Sequence, residues 1–177
     1  SSTYKLLGGS IGFYGSTLNT RQSATKGYLE KLIAQVFTGR ERFEPGNPQE
    51  GYSPSPQERQ SWLQISYMKE AYHTMGPKFT LGWMAEALYS SKNFSENYTA
   101  TMMQAGEFAP TPHSKLMYNE AFRANQYVAA GIKPIYVLND MFQFRTEFYG
   151  FTPIFPIKKN ALNKAYYGKA FSRFEYM

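Results

Sequence analysis

A serine flanked by glycines is the first group in the chain that could do chemistry. The stretch Gly8-Gly9-Ser10-Ile11-Gly12 matches the G-x-S-x-G pattern, which in hydrolases presents a nucleophilic serine on a sharp turn between a strand and a helix. Phe13 to Thr17 show no helix-forming pattern and continue as strand and turn. In a strand, Gly8, Ser10 and Gly12 share one face. The pattern therefore favours a close-packed strand face over a nucleophile.

The sequence contains little evidence for a metal site or a histidine-based active site. The two histidines, His73 and His113, stand forty positions apart without a partner at metal-ligand spacing, and the chain contains no cysteine. A zinc site or a histidine-based triad needs several such groups close together. We therefore predict no catalytic residue, no metal ligand and no cofactor in this chain.

The acidic residues could form a catalytic pair, but the sequence alone does not place them in space. The candidates are Glu70, Glu86, Glu120 and Glu147. Buried charges in proteins generally have partners. We therefore interpret these carboxylates as groups inside a β-barrel that pair with Arg123 or Arg145.

The amino-acid composition excludes several classes of protein. Of the 177 residues, 42% are hydrophobic and 18% aromatic, yet the mean hydropathy is −0.50, so apolar and polar residues must interleave. No run of about 18 apolar residues exists that could form a membrane-spanning helix. The net charge of +6 comes from scattered lysines and arginines, which argues against nucleic acid and is compatible with membrane lipid or lipopolysaccharide headgroups. An ordinary solvated surface is the other interpretation of charge that is scattered in this way.

Alternation with a period of two predicts strands. In Met141–Tyr149 one face carries Phe142, Phe144, Thr146 and Phe148, and the other carries Gln143, Arg145, Glu147 and Tyr149. Leu81–Tyr89 alternates less cleanly. The further predicted strands are Tyr4–Ser16, Tyr28–Thr38, Trp62–Thr74, Tyr127–Leu138 and Tyr166–Tyr176. Their length exceeds the roughly 5 to 6 residues of soluble sheets and suits the roughly 9 to 11 residues of a transmembrane strand.

Short turns and long connections alternate between these strands. Met75-Gly76-Pro77 and Asn139-Asp140 are tight-turn signals, whereas Gly39–Gln60 and Ser91–Asn119 are long and polar. In outer-membrane barrels the short turns face the periplasm and the long loops face outward; a disordered insertion is the alternative for each long connection. We predict an all-β chain, an antiparallel up-and-down β-barrel or partial barrel with two long polar loops.

Three stretches carry a family resemblance. Phe122 to Tyr127, Val128 to Tyr136 and Phe144 to Ile154 together resemble the C-terminal, surface-antigen-type barrel of patatin-like phospholipases of Gram-negative bacteria. That resemblance implies an outer-membrane location and an attached upstream acyl hydrolase domain that uses a serine-aspartate dyad. We expect residues 1–177 to be a single barrel segment excised from such a longer chain, with open sheet edges that permit self-association.

The resemblance also implies roles for individual residues. In this superfamily an arginine-aromatic motif folds back into the lumen and contacts an inner strand, and Phe122-Arg123 through Tyr127 is similar to it. The structural lumen anchors are then Arg123, Tyr127, Arg145 and Glu147, of which Arg145 and Glu147 point inward. An arginine at an ordinary strand entrance is the alternative for Arg123.

Two function classes follow. The first is a barrel that anchors or translocates the attached lipid-acting domain. The second is a soluble β-barrel or sandwich that binds an apolar ligand in its interior. In that class the aromatic face of each alternating strand points into the core. An enzyme is the third and weakest possibility, and it would require an activity that Ser10→Ala removes.

Overall fold

The computed structural model describes residues 2–20, 23–43, 58–95, 97–139 and 142–177. Its first half is a meander of four long antiparallel strands: β1 Ser2–Ser16, β2 Gly27–Phe43, β3 Glu58–Thr74 and β4 Phe79–Ser90. Each strand is hydrogen-bonded to the next in sequence. The turn at Met75-Gly76-Pro77 joins β3 to β4 as predicted, and Met75 N donates to Phe79 O at 2.9 Å.

Residues 91–95 and 97–125 form a folded segment, not a featureless loop. They contain helix α1 (Tyr98–Gln104), the two-residue strands β5 (Gly106–Glu107) and β6 (Arg123–Ala124), and two short 3₁₀ turns between these strands. Asn97 caps α1, since its side-chain oxygen accepts from Ala100 N at 2.7 Å. We call residues 91–95 and 97–125 the covering segment, because they pack on one face of the large sheet.

Six further strands follow the covering segment. They are β7 (Gln126–Val137), β8 (Gln143–Arg145), β9 (Phe148–Pro153), β10 (Ile157–Lys159), β11 (Ala165–Tyr167) and β12 (Glu175–Tyr176). The large sheet runs β1-β2-β3-β4-β7-β9-β12, with β8 also on β7, while β10 pairs with β11. The predicted all-β, antiparallel up-and-down architecture is confirmed. Among the described residues the eight-stranded sheet is open and not closed into a barrel, which is compatible with the predicted partial barrel.

The predicted strand Met141–Tyr149 is divided in two. β8 and β9 both pair with β7, and the register of Ile135 with Arg145 continues unchanged to Ile132 with Phe148. The interruption lies opposite Pro134, which has no N–H to donate to the ladder. The predicted alternation survives the break, although Asp140 and Met141 lie outside the described residues.

Two other predicted boundaries are wrong. Tyr166–Tyr176 is not one strand: Phe171 adopts a φ of 51°, in the left-handed region, and turns the chain between β11 and β12. The predicted loop Gly39–Gln60 is shorter, because β2 continues to Phe43 and β3 begins at Glu58. Residues 44–57 of that connection lie outside the described part of the chain.

The two faces of the sheet differ in character. On the covered face, β4 presents Thr80, Gly82, Met84, Glu86, Leu88 and Ser90; on the open face it presents Phe79, Leu81, Trp83, Ala85, Ala87 and Tyr89. The main core lies between the covered face and the covering segment, where Phe108, Tyr127 and Phe151 are at most 1% exposed. Among the described residues, the structure contains no helix that is long and apolar enough to cross a membrane.

Candidate functional site

Arg123 holds the covering segment together. Its Nη2 lies 2.5 Å from Glu107 Oε2, and its Nη1 donates to the carbonyl oxygens of Met103 at 3.0 Å and Ala105 at 3.3 Å. The last carbonyls of a helix have no partner within the helix, so the guanidinium satisfies the end of α1. Because Glu107 and Arg123 are also paired across β5 and β6, one side chain fixes both the helix end and the small sheet.

Tyr127 connects the covering segment to the large sheet. This side chain of β7 is 1% exposed, and its hydroxyl donates to Glu86 Oε1 at 2.6 Å on the neighbouring strand β4. The same hydroxyl lies 3.2 Å from the carbonyl oxygen of Glu107. Arg123 therefore contacts the side chain of Glu107 and Tyr127 contacts its backbone carbonyl, and their role as lumen anchors stays a prediction.

Arg145 and Glu147 both lie on the covered face, at the end of the sheet where the short turns are. Arg145 Nη2 donates to the carbonyl oxygen of Ala24 at 2.5 Å, which ties the connection between β1 and β2 to β8. Arg145 Nη1 lies 3.8 Å from Glu147 Oε1, and Tyr149 donates to Glu147 Oε2 at 2.6 Å. Both residues therefore point away from the open face.

A second ion pair lies beside them on the covered face. Lys133 Nζ is 2.9 Å from Glu70 Oε1, and the two side chains are only 7% and 15% exposed. The Tyr72 hydroxyl donates to the same carboxylate oxygen. A cavity of about 520 Å³ is bordered by Glu70, Lys133, Arg145 and Glu147. The covered face thus encloses a polar, charged space that is screened from the open face by the sheet.

The acidic residues take partners that only partly follow the prediction. Glu147 pairs with Arg145, but Glu70 pairs with Lys133 and Glu86 accepts from Tyr127. Glu120 accepts from Tyr98 at 3.2 Å. Arg123 pairs with Glu107, a residue outside the predicted set, which is found only once β5 and β6 are known to be adjacent.

Two tyrosines of the covering segment have a raised pKa. Burial raises the pKa of Tyr98, and the nearby Glu120 carboxylate raises it further. Burial and Glu120 also raise the pKa of Tyr118, against the opposing effect of the Arg123 guanidinium, which lies over the Tyr118 ring at 4.9 Å. Both phenols are therefore neutral at pH 7, and neither is suited to act as a tyrosinate nucleophile.

The residues suspected of catalysis are dispersed. Ser10 lies in the middle of β1, directly opposite Gln35 of β2, with no turn around it. His73 is exposed near the end of β3, and His113 is exposed in the covering segment. Within the described ranges, no group of three or more His, Cys, Asp or Glu side chains could hold a metal ion.

Sequence reasoning missed Phe108 and Lys133. Phe108 is 1% exposed and packs against Phe151, with ring centroids 5.9 Å apart, and also against Tyr127 at 6.2 Å. The sequence contains little to identify Phe108 as a buried residue, because it stands alone in a polar stretch. Lys133 could have been found, because alternation along β7 places it on the same face as Tyr127.

Comparison of the chain with protein-family models, curated proteins and solved structures found no match.

Proposed function

We propose that this chain is a segment of a bacterial outer-membrane β-barrel that anchors or translocates an attached patatin-like lipid acyl hydrolase domain. The membrane part of this proposal rests on the distribution of side chains on β4 and β7. Their paired positions on the open face include Phe79 with Tyr136, Trp83 with Ile132 and Ala87 with Val128. The charged residues of these two strands, Glu86 and Lys133, lie on the covered face.

This arrangement is the reverse of a soluble sheet. Phe144 and Phe148 are 63% and 57% exposed, while Lys133 is 5% exposed. A soluble protein gains stability by burying large apolar side chains and rarely buries lysine. In a membrane barrel the apolar side chains contact lipid, and polar ones face the interior.

Strand β2 carries an apolar band between two charges whose spacing fits a bilayer. Its open face carries Leu32, Ala34, Val36 and Thr38 between Glu30 and Arg40. Glu30 and Arg40 are ten steps apart along the strand, which at about 3.3 Å per residue is about 33 Å. At a strand tilt of about 40° this length corresponds to a height of about 25 Å, which is the height of the apolar band in outer-membrane barrels.

The border of this band nearer the short turns carries groups that suit a membrane interface. At the border nearer the short turns, Glu30 accepts from Tyr67 at 2.6 Å and lies 4.0 Å from Lys69 Nζ. At the end of the sheet with the short turns, Phe79, Tyr136 and Phe144 are neighbours in one row across three strands. Rows of aromatic residues at the membrane interface are typical of membrane barrels.

The hydrolase part of the proposal rests on the resemblance of residues 122–136 and 144–154 alone. The dyad that such a domain uses would lie in the attached domain. In this proposal Arg123 and Tyr127 hold the covering segment inside the barrel, and Arg145 and Glu147 are part of its charged interior.

One observation favours the soluble, ligand-binding alternative. A cavity of about 680 Å³ lies between the covered face and α1, and its lining includes Leu6, Phe37, Trp62 and Met103. Its volume is within the range of small-molecule sites. The alternative requires the open face to be shielded from water by protein.

The two proposals are separated by the dependence of folding on detergent. The purified chain is compared in plain buffer and in detergent by far-UV circular dichroism, and by gel mobility before and after boiling. The membrane proposal predicts a strand signal and heat-modifiable mobility in detergent only. A soluble monomer that melts sharply in plain buffer would refute it and favour the ligand-binding alternative.

A further inference from the structure

Three cations form a row on the open face, at the end of the sheet away from the short turns. Lys5 of β1 is directly opposite Arg40 of β2, and Arg40 is directly opposite Arg59 of β3. All three side chains are exposed. We call these three residues the basic row.

The basic row is not neutralised by protein groups that the structure describes. None of its members lies within 4.0 Å of a carboxylate belonging to a described side chain. Arg59 Nε is 3.5 Å from the hydroxyl of Thr38, which is an uncharged partner. In an antiparallel sheet, the Cβ atoms of directly opposite residues are about 4.5 to 5.5 Å apart, and like charges directly opposite each other are destabilising.

The residues next to the basic row change character in steps toward the centre of the sheet. The next row on the open face contains Leu7, Thr38 and Ser61, and the hydroxyls of Thr38 and Ser61 are 2.9 Å apart. The following row contains Gly9, Val36 and Leu63, of which Val36 is 59% exposed. Cations, hydroxyls and apolar groups therefore follow one another over five positions of β2.

This order matches the chemistry of a phospholipid or glycolipid at a bilayer surface, with an anionic phosphate, a polar linkage and acyl chains. Guanidinium groups bind phosphate oxygens through two parallel hydrogen bonds. A groove of about 730 Å³ is lined by the basic row together with Leu6, Leu7 and Thr38. This volume accommodates a headgroup and the start of an acyl chain.

We propose that the basic row binds the phosphate of a membrane-lipid headgroup, in the leaflet at the end of the sheet where β2 and β3 are joined by residues 44–57. This inference rests on the proposed membrane function, because it requires the band next to the row to be in lipid. It adds a ligand class and a position to that function.

The test uses the full chain and compares two double variants of equal charge. Arg40→Gln/Arg59→Gln removes two members of the basic row. Lys158→Gln/Lys159→Gln removes two exposed lysines of β10, outside the large sheet. Each protein is refolded in detergent, and its strand content is checked by circular dichroism.

Retained lipids are then counted by native mass spectrometry after addition of phosphatidylglycerol or phosphatidylcholine with matched acyl chains, with inorganic phosphate as a competitor. We expect the wild type and the lysine variant to prefer phosphatidylglycerol, and the arginine variant to bind it about tenfold more weakly, the factor that corresponds to about 1.4 kcal/mol. Equal binding of phosphatidylglycerol by all three folded proteins would overturn the inference. Competition by inorganic phosphate at the same concentration as the lipid would also overturn it, because the site would then take free phosphate.

Insertion into vesicles is measured separately for the wild type. If the wild type inserts but all three proteins bind phosphatidylglycerol equally, the lipid-phosphate inference fails while the membrane proposal stands. If the wild type does not insert, the membrane proposal fails, and this inference fails with it.

Discussion

Lys133 of β7 reaches Glu70 of β3 across the intervening strand β4, with Nζ 2.9 Å from Oε1. The residue of β4 that lies between them is Gly82, which is directly opposite both Tyr72 and Lys133. A Cβ atom at Gly82 would be 2.6 Å from the Tyr72 ring and 3.1 Å from Lys133 Cβ. The missing side chain thus leaves room for the Tyr72 ring and for the stem of Lys133, whose ammonium group reaches Glu70.

Gly82→Ala should therefore destabilise the chain. The added methyl group must displace Tyr72, which is only 5% exposed, and we expect a loss of about 1 to 3 kcal/mol in the free energy of unfolding. The measurement is urea unfolding in detergent. Gly9→Ala is the control, because its Cβ would meet no atom within 4 Å; equal stability of the two variants would contradict the crowding at Gly82.

Removing one partner of the Lys133–Glu70 pair should cost more than removing both. Lys133→Met or Glu70→Met alone leaves a buried, uncompensated charge, for which the loss is about 3 to 5 kcal/mol. The double variant should be more stable than either single variant. A double-mutant cycle of unfolding free energies checks this, and additive single losses would show that the two side chains do not interact.

Phe108 should be the main apolar attachment of the covering segment. Phe108→Ala opens a cavity against Phe151 and Tyr127, and we expect a loss of about 3 to 5 kcal/mol. Leu116→Ala is the matched control in the same segment, since Leu116 is 85% exposed, and its effect should remain within about 0.5 kcal/mol. Thermal unfolding of both variants gives the comparison; similar melting temperatures would mean that Phe108 is not buried against the sheet.

Arg123 should control the end of α1. Arg123→Gln removes the charge pair with Glu107 and the donors to Met103 and Ala105, so we expect the α1 amides to exchange about tenfold faster, which corresponds to about 1.4 kcal/mol of local stability. Hydrogen exchange of Gln104 and Ala105 measures this. Arg123→Lys keeps the charge but not the planar fork, so its exchange should be intermediate. Unchanged exchange in both variants would show that α1 is held by other contacts.

The sequence predicted the long strands well because their alternation is local. β1 to β4 and β7 differ from the predicted boundaries by at most five residues at an end, and Arg145 and Glu147 fall on the predicted face. The break at Pro134 could have been foreseen from the missing N–H only if its partner strand were known.

The partners of the charged residues were harder to predict, because they are set by register between strands. Glu70 meets Lys133 across Gly82, whose missing side chain leaves room for Tyr72 and Lys133, and Arg123 meets Glu107 because β5 and β6 pair. The turn at Phe171 has no sequence signal of the usual kind, since a left-handed φ is uncommon for an aromatic residue. Such contacts depend on residues that are distant in sequence.

The two tryptophans of the chain test the membrane account most directly, because they lie on opposite faces of the sheet. Trp83 is on the open face of β4, whereas Trp62 is 8% exposed on the covered face and stacks with Phe37 at 5.0 Å. Trp62→Phe and Trp83→Phe each leave one fluorophore. The measurement is the quenching of tryptophan fluorescence by bromine-labelled acyl chains after reconstitution into vesicles. We predict strong quenching of Trp83 in the Trp62→Phe variant and weak quenching of Trp62 in the Trp83→Phe variant; Trp83 fluorescence unaffected by brominated lipid would contradict the proposal that the open face contacts the bilayer.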